Sequence, residues 1–127
     1  MDAYTTLGTP NAAATTPFYD AVLATIGWAV RADYPGLRGY TKGGGPDGFT
    51  LWLCTPFDGA AASVGNGTMV GFPAASHEEV EAFHAAALAH GGTDEGAPGP
   101  RPHYGPHWYS AYVRDPVGNK LSIVFDE

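Results

Sequence analysis

Cysteine and positive charge are both scarce in this sequence. The 127 residues include a single cysteine, Cys54. One thiol cannot form an intrachain disulfide or a zinc site built from several cysteines. Only 6 Lys and Arg residues stand against 13 Asp and Glu, which gives a formal net charge of −7. Because nucleic acids and anionic membranes are bound through clusters of basic residues, the composition argues against both as partners.

Long apolar runs are also missing. No run approaches the roughly 18 apolar residues of a membrane-spanning helix. The first residues, MDAYTTLGTP, lack the basic and apolar regions of a secretory signal. We therefore expect a cytoplasmic protein. The hydrophobic fraction of 44% suits one folded domain, and 18 Gly and 11 Pro residues predict many turns.

The chain contains an internal repeat. Residues 18–27 (FYDAVLATIG) align with residues 83–92 (FHAAALAHGG) at an offset of 65, with identity at five of the ten positions. At the same offset Asn11 aligns with Ser76, and both are residue types that cap helices. Tyr4 aligns with Met69 in strand-like runs. The alternative is a chance match between two alanine-rich helices.

Two helices are predicted around this repeat. Ser76 and Glu79 form a capping box ahead of the second helix, and Gly91-Gly92 ends it. The first helix is expected from about Asn11 or Thr16 to residue 26, with Pro17 within its first turn, where no amide donor is needed.

Seven short segments are predicted as strands, in the order strand, helix, three strands, strand, helix, and two or more strands. The predicted strands are 3–8, 28–33, 37–42, 49–54, 67–72, 108–114 and 120–125. Residues 43–48, 58–66 and 92–106 are rich in Gly and Pro and are predicted as loops. The order indicates a single domain, residues 1–127, made of two β-α-β-β-β modules at about 1–57 and 66–127.

Alternation along the strands separates a core face from a second face. The segment DPVGN (115–119) predicts a type I turn with Gly118 in the left-handed region, which places Arg114 opposite Lys120 and Tyr112 opposite Ser122. Ser110, Tyr112, Arg114, Lys120 and Ser122 then share a polar face. The same alternation predicts that Phe49, Leu51 and Leu53 face the core and that Trp52 lies on the other side. An ordinary exposed sheet face is the alternative.

Several motifs resemble one protein superfamily over almost the whole chain. They are FYDAVLATIG, GTMVGFPA, AFHAAALAHGG, GAPGPRPHY and DPVGNKLSIV. They are similar to the vicinal oxygen chelate superfamily, in particular to its small glyoxalase/bleomycin-resistance/dioxygenase-type proteins. The resemblance implies an α+β fold in which paired βαβββ modules form a cupped mixed β-sheet, with one helix packed outside each module. Because such modules pair within one chain or across a dimer, it also implies a homodimer and a small-molecule ligand.

The resemblance implies where a metal site would lie. Enzymes of this superfamily hold a divalent metal through two His and one Glu, and the matching positions here are Tyr4, Met69 and Ser122. A phenol, a thioether and a hydroxyl do not replace imidazole or carboxylate ligands. We therefore expect no metal cofactor, although members of the family usually bind a divalent metal.

Two of the histidines could belong to a different metal site. His103 and His107 have the spacing H-x3-H, but Pro102 and Pro106 prevent a helix that would bring them together. The alternative is that residues 101–108 form a lid or a structural loop.

Three functions are consistent with these features. The first is a metal-free small-molecule binding protein whose site contains Tyr4, Trp52, Met69, Tyr112, Ser122, Arg114 and His103. Sequestering members of the family are acidic dimers that trap cationic, planar antibiotics between aromatic rings, and the charge of −7 fits that pattern. The second is a glyoxalase- or dioxygenase-like enzyme, a lyase or oxidoreductase, with displaced metal ligands or metal-free acid–base catalysis. The third is an interaction module that has lost its site.

Overall fold

Two successive βαβββ modules make up the chain. The structure is a computed structural model that describes residues 1–10 and 12–127. The first module contains β1 (Tyr4–Gly8), α1 (Ala12–Ala24), β2 (Trp28–Tyr34), β3 (Leu37–Lys42) and β4 (Thr50–Cys54). The second contains β5 (Met69–Pro73), α2 (His77–Ala89), β6 (Thr93–Pro100), β7 (Trp108–Arg114) and β8 (Lys120–Asp126).

Each module forms its own four-stranded mixed sheet. The strand orders are β1-β4-β3-β2 and β5-β8-β7-β6, so the two sheets have the same topology. β1 runs parallel to β4 and β5 parallel to β8, whereas the other neighbours are antiparallel. This arrangement confirms the expected α+β fold of paired βαβββ modules. No helix in the described ranges is long and apolar enough to cross a membrane.

The repeat at an offset of 65 is real. β1 and β5 have the same length and begin 65 residues apart, and so do α1 and α2. Asn11, the predicted cap of the first helix, lies outside the described residues. The Ser76 cap of α2 is confirmed, because its Oγ accepts a hydrogen bond from the Glu79 amide at 3.1 Å. Glu79 reaches back to the amide of Ala75, one residue earlier than the capping box predicts.

The turn between β7 and β8 has the predicted geometry. Gly118 has a φ of 102°, and its amide donates to the Asp115 carbonyl at 3.0 Å. Arg114 lies opposite Lys120 and Tyr112 opposite Ser122. The local turn chemistry therefore fixes which side chains share each face of the second sheet.

Three local predictions were wrong. β6 lies inside the segment predicted as loop 92–106; it is an edge strand, where the missing amides of Pro98 and Pro100 are tolerated, and its pairing with β7 shifts register twice. Pro17 lies inside α1, because the helix begins upstream at Ala12. Phe49 precedes β4 and is 40% exposed, so it does not belong to the core.

One hydrophobic core joins the two modules. α1 contributes Phe18, Val22 and Leu23, all essentially buried, and α2 contributes Val80 and Phe83. A side chain on Gly92 would collide with the Phe18 ring, since an added Cβ would lie 2.7 Å from its Cε2. A glycine after α2 is therefore needed for α1 to pack against the second module.

The core contains a buried carboxylate, Asp115, which is 3% exposed. Its two oxygens accept hydrogen bonds from the Tyr19 hydroxyl at 2.6 Å and from the amides of Val117 and Asn119 and the Asn119 side chain at 2.9 Å. The Asn119 side chain also donates to the Gly8 carbonyl at 3.1 Å. This network connects the turn of the second module to both β1 and α1 of the first.

Removal of one donor from this network should weaken the fold. Tyr19→Phe should lower the free energy of unfolding by about 1.5–3 kcal/mol, the usual contribution of a hydrogen bond to a charged group. Urea denaturation at neutral pH measures the loss. Tyr34→Phe is the matched control, because the Tyr34 ring is 59% exposed. Equal stability of the two variants would contradict a stabilising role for the Asp115 network.

The same variant should respond differently to alkali. Burial, followed by the negative charge of Asp115, raises the pKa of Tyr19 well above its usual value. The contribution of this phenol to stability is complete below about pH 10, where unfolded tyrosines titrate, and is lost as the pH rises further. Above about pH 10, the stability of Tyr19→Phe should therefore fall less steeply than that of the wild type, by up to about 1.4 kcal/mol per pH unit.

Candidate functional site

Each sheet buries one face against the helices and leaves an aromatic residue on the opposite face. In β4, Leu51 and Leu53 are buried while Trp52 between them is partly exposed. In β7, Ala111 and Val113 are buried while Tyr112 between them is partly exposed. The period of two along a strand thus places Trp52 and Tyr112 at corresponding sides of the two sheets.

Trp52 forms the floor of a cavity of about 400 Å³ on the first sheet. We call this cavity groove A; its lining includes Asp2, Tyr4, Thr6, Arg31, Thr50 and Trp52. Tyr4 and Thr6 of β1 lie beside Thr50 and Trp52 of β4 because the two strands run parallel in that register. The Asp2 carboxylate accepts a hydrogen bond from the Gly48 amide at 2.9 Å.

A glycine allows the Trp52 ring to cover the sheet. Gly39 of β3 is the cross-strand partner of Trp52, and a Cβ built on it would lie 2.4 Å from Cζ3 of the ring. Any larger residue at this position would displace the indole. Arg31 covers the ring at 5.5 Å from its centroid and donates to the Thr50 hydroxyl at 3.1 Å. This distance is within the range of a cation–π contact.

Tyr112 forms the floor of a larger cavity, about 650 Å³, on the second sheet. We call it groove B; its lining consists of Met69, Glu95, Gly96, Arg101, His103, Tyr104, Trp108, Tyr112 and Lys120. Here too the ring crosses a glycine, since a Cβ on Gly96 would lie 2.9 Å from Cδ2 of Tyr112. Both volumes lie in the range typical of small-molecule sites.

Two cations contact the Tyr112 ring. The Arg101 guanidinium lies 5.6 Å and the Lys120 ammonium 5.7 Å from the ring centroid. Arg101 is held in place by the carbonyls of Ala97 and Gly99, to which it donates at 2.8 and 2.7 Å. The position of this guanidinium is therefore set by the backbone of β6 and does not depend on a carboxylate.

The predicted site residues are divided between different places. Tyr4 and Trp52 line groove A, whereas Met69, Tyr112 and His103 line groove B. Arg114 lines an adjoining cavity together with Met69 and Lys120, and its guanidinium is paired with Glu95 at 2.9 Å. Ser122 is 2% exposed and is not among the residues that line these cavities.

The prediction of the site missed two kinds of residue. Arg31 was not singled out, and Arg101 was assigned only to a lid or a structural loop. Gly39 and Gly96 were not recognised as the residues that make room for the rings. A signal was available for Gly39, because a small residue opposite a large aromatic on the non-core face of predicted strands indicates a ring lying across the sheet. Gly96 gave no such signal, since its segment was predicted as a loop.

The positions of the expected metal ligands do not fit a metal centre. Tyr4 lines groove A and Met69 groove B, while Ser122 is buried. Their phenol, thioether and hydroxyl groups are poor ligands for a hard or borderline divalent ion. In the described part of the chain, no three His, Cys, Asp or Glu side chains come together as a possible metal-binding group.

Charged contacts fasten α2 to the other side of the second sheet. His84 Nε2 lies 2.9 Å from Oδ1 of Asp94, and this hydrogen bond, followed by one from the Gly96 amide, lowers the pKa of Asp94. The Tyr109 hydroxyl donates to Glu81 at 2.8 Å, and this bond raises the pKa of Tyr109. These contacts lie on the side of the second sheet that faces α2. The opposite side carries Tyr112 and the two cations that contact its ring.

Solved structures similar to this chain are known. A glyoxalase/bleomycin resistance protein from Albidiferax ferrireducens T118 shares 35% sequence identity over 100% of this chain and 99% of its own, with a TM-score of 0.86. A glyoxalase-related enzyme from Fulvimarina pelagi shares 24% identity over 98% of this chain and 87% of its own, with a TM-score of 0.75. A lactoylglutathione lyase from Agrobacterium tumefaciens shares 23% identity over 98% and 92%, with a TM-score of 0.67. No protein-family model and no curated protein matches the chain.

The contact between Gly39 and Trp52 can be tested directly. Gly39→Ala should displace the indole and change its near-UV circular dichroism and fluorescence, with a loss of about 1–3 kcal/mol in stability from overpacking. Gly45→Ala is the control, because nothing lies within 4 Å of a Cβ at that position. An unchanged tryptophan signal in Gly39→Ala would show that the ring does not lie across the glycine.

Proposed function

The chain belongs to the glyoxalase/bleomycin resistance/dioxygenase family, and on that premise we propose that it binds a small molecule over aromatic floors without using a metal ion. The observation that carries the proposal is the pair of rings, Trp52 and Tyr112, each lying across a glycine in a ligand-sized groove. A large ring on a non-core face presents flat apolar area that a planar ligand can cover.

The chemistry of the family's ligand positions supports independence from metal. An enzyme that relies on a divalent ion needs imidazole or carboxylate groups that converge on it. Tyr4, Met69 and Ser122 supply neither type of ligand. The groove floors instead carry ring systems and cations, which bind through stacking and charge.

Relatives named as enzymes do not decide the function of this chain. The lactoylglutathione lyase and the glyoxalase-related enzyme are 23% and 24% identical to it, so the similarity establishes a shared fold alone. An active site has to be argued from its own residues. The residues of grooves A and B favour binding.

We further propose that two copies of the chain form a homodimer in which groove A of one protomer faces groove B of its partner. β1 and β5 are edge strands of separate sheets, and Tyr4 and Met69 at their beginnings are 59% and 46% exposed. Within the described residues the two grooves share no lining residue. Because the superfamily completes its cup from two modules, a second copy would bring the two aromatic floors together.

Binding should depend on the rings and not on metal. At least one of a panel of neutral, anionic and cationic planar dyes should quench tryptophan fluorescence, and Trp52→Ala and Tyr112→Ala should each lower its affinity at least about tenfold. Treatment with a chelator should leave the affinity unchanged. Tyr34→Ala is the control, because this exposed ring lies outside both grooves.

The opposite results would contradict the proposal in different ways. Absence of binding by every dye would contradict the binding function. Loss of binding after chelation, restored by zinc, nickel, manganese or ferrous ion, would contradict metal independence and favour the enzymatic alternative.

The dimer is tested by light scattering. The purified protein should have twice the mass of one chain, and Met69→Lys should shift it to the monomer because a charge on an edge strand opposes pairing. Leu88→Lys is the control, since Leu88 is 44% exposed on α2 and outside both grooves. A monomeric wild-type protein at the concentrations of the binding assay would rule the dimer out.

A further inference from the structure

The six cationic side chains of the protein differ in whether a carboxylate pairs with them. They are Arg31, Arg38, Lys42, Arg101, Arg114 and Lys120. Arg38 is paired with Asp20 and Asp33, and Arg114 with Glu95. The other four, Arg31, Lys42, Arg101 and Lys120, are paired with no carboxylate in the part of the chain that the structure describes, although acidic residues outnumber basic ones by 13 to 6.

Three of these four cations contact the aromatic ring of a groove, whereas Lys42 is exposed at the end of β3 and lies outside both grooves. Arg31 lies over Trp52 in groove A, while Arg101 and Lys120 contact Tyr112 in groove B. Each groove therefore contains positive charge that lies against an aromatic ring and has no carboxylate partner among the described residues.

Groove B has the more complete arrangement. Its lining contains one carboxylate, Glu95, which is already bound by Arg114 at 2.9 Å. Both terminal nitrogens of Arg101 donate to backbone carbonyls, which leaves its other N–H groups available. No hydrogen bond from the Lys120 ammonium is formed within the described residues. Both cations can donate further hydrogen bonds to an oxyanion, and such charge-assisted bonds are stronger than neutral ones.

We propose that groove B binds a planar ring compound that carries an acidic group, with the ring against the aromatic side chains and the oxyanion at Arg101 and Lys120. This inference rests on the proposed binding function and adds the chemical class of the ligand. Tyr104 and Trp108 supply the further aromatic wall, with their ring centroids 5.5 Å apart. The ligand class is opposite in charge to the cationic molecules that the net charge of −7 favours.

A matched pair of dyes tests the charge of the ligand. Anilinonaphthalene sulfonate and phenylnaphthylamine share the same rings and differ by the sulfonate, and proflavine supplies a planar cation. The sulfonate should bind at least tenfold more tightly than either of the others, and added sodium chloride should weaken the binding of the sulfonate but not that of the neutral dye.

Variants then assign the effect to the groove. Lys120→Gln should lower the affinity for the sulfonate roughly tenfold and leave that for phenylnaphthylamine unchanged, while Lys120→Arg should retain binding. Lys42→Gln removes the same charge from an exposed position outside the grooves and should have no effect. Circular dichroism confirms that the variants are folded.

Each remaining outcome overturns a different statement. Equal or tighter binding of the neutral or cationic dye would overturn the proposed ligand class and leave the binding function standing. Equal losses in Lys120→Gln and Lys42→Gln would show that overall charge, and not groove B, governs the preference. If none of the three dyes binds, the binding function fails and the ligand class fails with it.

Discussion

The buried carboxylate of Asp115 is the constraint on which the arrangement of the two modules depends. A charge that is 3% exposed is destabilising unless every lone pair is used. Here the donors come from its own turn, from the Asn119 side chain and from Tyr19 of α1. Asn119 extends the network to the Gly8 carbonyl at the end of β1. Three of the four hydrogen bonds to Asp115 form within the turn itself, but the Tyr19 bond requires α1 and the Asn119 bond to Gly8 requires β1. These two bonds form together only when α1, β1 and the β7–β8 turn meet, so the network favours one relative placement of the two sheets.

That placement determines what the other faces of the sheets can do. Because both helices and the Asp115 network lie on one side, the alternation along β4 and β7 directs Trp52 and Tyr112 to the opposite side. Such alternation occurs in any half-buried strand. A large ring can lie flat across the open face of the sheet only where its cross-strand neighbour is small. Gly39 and Gly96 meet that condition. The grooves thus arise from two glycines as much as from the rings they accommodate.

The sequence predicted those features that depend on neighbouring residues. The residues at 115–119 predicted the turn and with it the register of β7 against β8. The repeat at an offset of 65 identified both helices and the first strand of each module. β6 was missed because TDEGAPGP has no alternation and only one strand-forming residue, Thr93. The repeat nevertheless aligns Thr93 with Trp28, where β2 begins. The burial of Ser122 and the anchoring of Arg101 by carbonyls depend on packing between strands, which residue types alone do not specify.

Net charge and local charge lead to different expectations for the ligand, and distance decides between them. At physiological ionic strength, charges more than about 8 Å apart are largely screened in solvent. The acidic residues that give the protein its charge of −7 therefore influence a molecule approaching from solvent more than one already in a groove. Inside groove B the nearest charges are Arg101 and Lys120, together with a Glu95 already neutralised by Arg114. The groups in direct contact determine which charge is stable there, and in this groove they are positive.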